Sequence, residues 1–186
     1  MMYDHCMLDI ECLGTTPGAV IVQIGACMFN MRGEHDADTF LRNVDIQSCL
    51  NRDMYINGAT VEWWFGQSDN ARKALFLPPP VPIGQAMEDF KSWYSQRGDP
   101  SFIWSNGSDF DIPIMLEAWN RTMPGKAPWP YKGVRCCRTV SWMARHQGWA
   151  KEVPRSEQLV KHRADHDAIH QAQWTAAAMK YLREGK

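Results

Sequence analysis

Two long apolar runs near the N-terminus, Tyr3 to Ile10 and Ala19 to Phe29, constrain this chain more than any other feature. Together they are rich in apolar and β-branched residues, and Thr15-Thr16-Pro17-Gly18 between them carries turn chemistry, so they read as a two-stranded hairpin. A third run, Thr39 to Val44, comes after a polar, turn-like stretch and extends the sheet as a meander. The chain therefore opens with β-structure.

Helical signals dominate beyond Val44. Thr60 to Phe65 and Ser68 to Leu75 read as short helices, the second with Ser68 as its N-cap and Asp69 in its first turn. Pro78-Pro79-Pro80-Val81-Pro82 cannot continue a helix, because proline lacks a donor and fixes φ, and reads as an extended connection. Gln85 to Gln96 places Met87, Phe90, Trp93 and Tyr94 at helical spacing, and Ser101 to Trp104 reads as a buried strand. Asp111 to Asn120 reads as helix, Asn120 to Val134 as a loop rich in Pro and Gly, and Thr139 to His146 as helix. A final helix from about Ala164 to Leu182 carries Ile169, Ala172, Ala176 and Met179 on one stripe. A meander succeeded by alternating helices and a parallel strand predicts an α/β fold, a mixed sheet flanked by helices.

The length of 186 residues predicts one domain, 1–186, and 45% hydrophobic residues suffice for its core. The six cysteines form no CxxC pair and no framework spacing, which predicts reduced thiols and a cytoplasmic setting. Met1 to His5 carries no basic, apolar leader pattern, and Gln23 and Gly25 interrupt the longest apolar stretch, so neither export nor a membrane partner is expected. The formal net charge of -1 argues against a protein that holds a polyanion through bulk positive charge. A polyanionic partner would have to be gripped locally, and no broad basic face is expected.

The first chemical constellation is Asp9-Ile10-Glu11. Residues i and i+2 of a strand share a face, so two carboxylates stand side by side and call for a cation between them. Leu8 and Ile10 flank the acids, and a charge within an apolar strand is expensive unless paired or liganded. Carboxylate oxygens suit Mg²⁺ and Mn²⁺, and a paired-metal centre can clamp both oxygens of a phosphoryl displacement. The plain alternative is two solvated acids at a strand end. Leu13-Gly14-Thr15 forms a tight turn just beyond.

At this point the sequence resembles the DEDD exonucleases of the histidine subclass. Their first motif is similar to Asp9-Ile-Glu11-Cys-Leu-Gly14. Many relatives carry Thr-Thr where this chain has Cys12-Leu13, a departure at positions that the resemblance assigns, with Gly14, to contacts with the terminal nucleotide. The second motif is an Asp after a later strand. Asp109 and Asp111 compete for it, and likeness to the Gly-x-x-Phe-Asp pattern selects Asp111. The third motif, His, four residues, Asp, matches His162-Arg-Ala-Asp-His-Asp167. The resemblance thus implies Asp9, Glu11, Asp111, His162 and Asp167 as catalytic residues on a ribonuclease H-like α/β fold, a mixed five-stranded sheet flanked by helices. The four acids would hold two Mg²⁺ (or Mn²⁺), and the imidazole would take a proton from the attacking water.

Further likeness runs through Pro17 to Ala26, Thr60 to Trp64 and Trp104 to Asp111, and points to a compact phage and bacterial branch. That branch includes exodeoxyribonuclease VIII-like phage proteins and RNase AS-like 3′ exoribonucleases, and its members are often dimers. The resemblance implies removal of nucleoside 5′-monophosphates from the 3′ end of single-stranded DNA or RNA, or from 3′ overhangs, with a homodimer as the assembly. A nucleic-acid-binding module without catalysis is the alternative. His162, His166 and His170 recur at i, i+4 and i+8 and could instead line a zinc site, though no HExxH and no cysteine pair accompanies them. Asp165 reads as a helix-start acid. Of the nine tryptophans, Trp63 and Trp64 are candidates to stack on bases, against the plain reading of core packing.

Overall fold

The computed structural model describes residues 3–150 and 153–185; of the N-terminal stretch read for a leader, Met1 and Met2 lie outside the described residues. One five-stranded sheet organises the chain: β1 (His5–Cys12), β2 (Ile21–Phe29), β3 (Phe40–Asn43), β4 (Phe102–Ser105) and β5 (Val134–Cys136), in spatial order β3-β2-β1-β4-β5. The first three strands pair antiparallel, and β4 and β5 join parallel to β1. The helices are α1 (Ile46–Leu50), α2 (Gly58–Phe65), α3 (Asp69–Ala74), α4 (Ile83–Ser95), α5 (Asp111–Thr122), α6 (Cys137–His146) and α7 (Ala164–Glu184).

The strands β1 and β2 are buried at every position, because helices cover both faces of the sheet. On one face Cys6, Leu8 and Ile10 join Ile24, Phe90, Ile114 and Trp119 in the main core. On the other, Met7, Cys27, Phe29 and Trp104 pack against Cys137 of α6 and Ala168 and Ala172 of α7. Alternation along β1 thus sorts its side chains into two layers, and Asp9 and Glu11 share the register of Met7 on the α7 side.

The mixed five-stranded sheet agrees with expectation, and the differences are local. β5 lies across the junction between the expected 120–134 loop and the helix expected from Thr139, which begins instead at Cys137. Three residues are too few for a period to register in the sequence, and β5 exists because it pairs with β4 from Ile103↔Val134 to Ser105↔Cys136. The five-residue α1 was likewise not expected. Ser68 caps α3 by accepting from the Ala71 N–H. All six cysteines are free. Among the described residues no helix is long and apolar enough to cross a membrane.

Candidate active site

The site forms where the C-terminal end of β1 meets the start of α5 and the start of α7. Asp9 and Glu11 are both 8% exposed. The ladder between β1 and β2 shifts register between Glu11 and Cys12, so regular pairing ends just past the acids. Asp111 opens α5 six residues after β4, and its Oδ1 accepts the Ile10 N–H at 3.3 Å. That bond ties the second motif to the backbone between the two acids of the first. Asp109, the competing aspartate, is exposed and paired with Arg138 at 3.2 Å.

The third motif reaches the site through one close approach. Gly25 lies opposite Asp9 in the β1–β2 ladder. A Cβ built on Gly25 would sit 2.1 Å from the Ala164 carbonyl carbon and 2.1 Å from the Asp165 nitrogen, so only glycine lets α7 begin there. Beside it, Gln23 Oε1 accepts the Ala164 N–H at 2.6 Å, satisfying one of the donors orphaned at the helix start. The same amide donates to Asn43 Oδ1 at 2.5 Å and to the Ala74 carbonyl at 2.9 Å, which fixes its orientation. With α7 seated this way, Asp167 and Gln171, one turn apart, face β1.

Gln171 Nε2 donates to Asp9 Oδ1 at 2.7 Å. Asp167 Oδ2 accepts the backbone N–H of His162 at 2.9 Å. His162 has φ +61, in the left-handed region that a side chain enters at a cost, and this bond helps to hold it there. Its Nδ1 stands 3.9 Å from Glu11 Oε1. Donor atoms of Glu11, His162 and Asp167 all lie within 4.8 Å of one another.

Burial and mutual repulsion shape the charges. Burial, then Glu11, Asp111 and Asp167, push the Asp9 carboxyl well above its usual range, against the donation from Gln171. Burial together with Asp167 and Asp111 raises Glu11 to about 8. Burial raises Asp111 to about 7, opposed by the Ile10 N–H and by Arg138. Desolvation lowers the His162 imidazole below its ordinary value despite Asp167, which favours the neutral, proton-accepting form at neutral pH.

A cleft of ≈ 960 Å³ opens over these groups, with Trp63, Asn106, Arg145 and Lys161 among its lining residues. The two tryptophans divide. Trp64 is 5% exposed and donates from Nε1 to the Cys12 carbonyl at 3.1 Å, while Trp63 is 46% exposed and meets the His162 ring edge-on at 5.0 Å. Cys12 and Gly14 line the cleft, whereas Leu13 joins the core and a separate apolar cavity of ≈ 310 Å³. The Cys12 thiol donates to the Gly14 carbonyl at 2.9 Å, and burial pushes it up to about 12. The three histidines do not converge. His166 Nδ1 accepts the Val160 N–H at 2.8 Å, and His170 lies 3.0 Å from the Val153 carbonyl through Nε2 and 3.4 Å from Arg155 through Nδ1. His166 and His170 tie the 153–163 segment to α7, and among the described residues His162 groups with Glu11 and Asp167 rather than with the other two histidines.

The family model of the Rv2179c-like 3′-5′ exoribonuclease domain matches residues 4–179, nearly the whole chain. The chain belongs to this family. Solved structures share its fold: an Escherichia coli exonuclease I complex with single-stranded DNA and bound zinc (14% identity, TM-score 0.61), and exonuclease I from Methylocaldum szegediense (11%, 0.64). Each is matched over 98% of this chain, which spans 41% of either exonuclease I chain. Exonuclease X bound to duplex DNA with a 5′ overhang is covered over 93% of its length by 98% of this chain, at 16% identity and TM-score 0.55. At these identities the likeness is one of fold. No curated protein sequence matches the chain.

The donor set of this exoribonuclease-family domain fits divalent cations. Four carboxylates converge, and the raised proton affinity of Asp9, Glu11 and Asp111 is the state that a metal ion relieves. Among the described residues, buried Asp167 Oδ1 and Gln171 Oε1 have no hydrogen-bond partner. Arg155 Nη1 lies 2.6 Å from that Asp167 oxygen without hydrogen-bond geometry, a cation resting where another could bind. Sequence reasoning missed Arg155, Gln171, Gln23 and Gly25. Gln171 left a signal at i+4 from Asp167 on the same helix, and Gln23 and Gly25 left one as the two interruptions of the apolar β2 run, since an isolated glycine in a strand marks a close backbone approach.

Proposed function

We propose that this chain is a metal-dependent 3′-to-5′ exonuclease that releases nucleoside 5′-monophosphates from single-stranded 3′ ends or 3′ overhangs. The observation that carries the reading is the convergence of Asp9, Glu11, Asp111 and Asp167 around a cleft with His162 at its edge. Family membership supports the direction of attack and favours RNA, whereas the exonuclease I and exonuclease X complexes are with DNA.

Asp9, Glu11, Asp111 and Asp167 would hold two Mg²⁺ or Mn²⁺. When bound, such ions polarise the scissile phosphate and ease deprotonation of water. His162 takes the proton of the attacking water. Its left-handed backbone and the bond to Asp167 hold the ring over the cleft. Gln171 orients Asp9, and Trp63 offers a face to the terminal base. Attack at phosphorus displaces the 3′ oxygen of the preceding nucleotide.

The test is trimming of 5′-labelled RNA and DNA strands of matched sequence, single-stranded and with 3′ overhangs, in Mg²⁺ and in Mn²⁺. Asp9→Ala and Asp167→Ala should abolish stepwise shortening while circular dichroism stays native; undiminished trimming in either variant defeats the assignment. A blocked 3′ end should resist attack, and a cut circular strand would indicate an endonuclease. The finer branch placement beside exodeoxyribonuclease VIII-like and RNase AS-like proteins, the homodimer and the cytoplasmic setting belong to the same proposal. The free thiols support the last, and sedimentation tests the dimer.

A further inference from the structure

From Ala118 to Lys151 the chain carries seven lysines and arginines and no aspartate or glutamate, although the whole sums to -1. The near-zero balance therefore hides a segregation, one basic segment within an otherwise acidic chain. Helix α6 lies within that segment. It buries Cys137, Ser141 and Ala144. Its other side exposes Arg138, Trp142, Arg145 and His146, at i, i+4, i+7 and i+8 of one helical face. Trp142 is 65% exposed, and His146 stacks on it with ring centroids 5.5 Å apart and planes inclined by 15°. A broad, flat aromatic surface thus stands in water between two guanidinium groups.

This face is continuous with the cleft. Arg145 lines the cleft itself, and Arg138 pairs with Asp109 in the loop that leads to Asp111. The Arg138–Asp109 pair is solvent-exposed, so a competing anion displaces it at little cost. Two guanidinium groups, only one of them held and that by an exposed acid, interleaved with an exposed indole are the chemistry that recognises a single-stranded polyanion with π-faces. A protein partner would more often be met by an apolar centre from which charge is depleted.

We propose that the exposed face of α6 is the track for the part of a single-stranded nucleic acid that trails away from the 3′ terminal nucleotide. Phosphates lie against Arg138 and Arg145, and a base stacks on Trp142. The inference rests on the exonuclease reading for its direction, but its binding chemistry can be measured without catalysis.

The experiment is fluorescence anisotropy of a 5′-labelled twelve-nucleotide single strand and of a labelled dinucleotide, in EDTA, with the full chain and with Trp142→Ala and Arg138→Gln/Arg145→Gln. For the twelve-mer, Trp142→Ala should raise Kd about tenfold, and the double variant should flatten the slope of log Kd against log salt by about 0.7 for each arginine lost. The ratio of dinucleotide to twelve-mer Kd should fall in both. Unchanged twelve-mer affinity and salt slope would overturn the track. A variant that dissociates a dimer in sedimentation while binding the strand normally would also overturn it, by making the face a contact between copies. If the full chain binds as expected yet trims nothing in Mg²⁺ or Mn²⁺, the exonuclease reading fails and the track stands.

Discussion

Gly25→Ala tests how the third motif is held in place. The added Cβ would lie 2.1 Å from both the Ala164 carbonyl carbon and the Asp165 nitrogen, and 2.6 Å from the Ala164 oxygen. Ordinary carbon contacts begin near 3.5 Å, so the start of α7 must retreat by about 1.4 Å. The obstructing atoms are backbone, and no rotamer change relieves them. The retreat carries Asp167 and Gln171 away from β1, stretching the 2.7 Å bond from Gln171 to Asp9 and the 2.6 Å bond from the Ala164 N–H to Gln23. A misplacement of about 1 Å among reacting groups costs about 10²-fold in rate, and overpacking of this kind costs about 1–3 kcal/mol of stability. The assay is kcat/KM for Mg²⁺-dependent trimming together with the thermal midpoint. Gly84→Ala in α4, where an added Cβ meets nothing within 4 Å, is the matched control and should be neutral or slightly stabilising. A folded Gly25→Ala protein with kcat/KM within about threefold of the unaltered chain would refute the account of how α7 delivers Asp167.

Two further outcomes are expected. Glu11 at about 8 and Asp111 at about 7 bind protons more tightly folded than unfolded, so without metal these groups lower stability as pH rises from about 4 towards 8. Thermal midpoints in EDTA should fall across that window and rise on adding Mg²⁺, most at the alkaline end; a midpoint indifferent to Mg²⁺ at pH 8 would count against the metal site. Trp63→Ala should raise KM with an unchanged midpoint, whereas Trp64→Ala should lower stability by about 3–5 kcal/mol, since the first ring is half exposed and the second is buried. Equal loss of stability in both would remove Trp63 from the substrate surface.

Net charge and charge patterning answer different questions. The value of -1 led to the expectation of no broad basic face, yet the acid-free stretch from Ala118 to Lys151 was present in the same sequence. A sum over the chain cannot register where charges fall. The tryptophans were ambiguous for a related reason: neighbours on one helix have the same composition, and only packing sends Trp64 under the Cys12 carbonyl and leaves Trp63 beside His162. The departure at Cys12-Leu13 also resolves in space, with Leu13 turned into the core and the Cys12 thiol spent on Gly14.

The sequence by itself determined the hairpin, the most strongly patterned helices and the strand-borne pair Asp9 and Glu11, while Asp111 and Asp167 were singled out only by resemblance to the family's motifs. The former are features of local period and residue type, legible within a dozen residues. The tertiary structure alone decided that α7 begins against Gly25, that Gln171 reaches Asp9 across 162 positions, that Ile10 holds Asp111 across 101, and that Arg155 rests on Asp167. Such contacts depend on where two distant backbones come to lie, which no local period encodes.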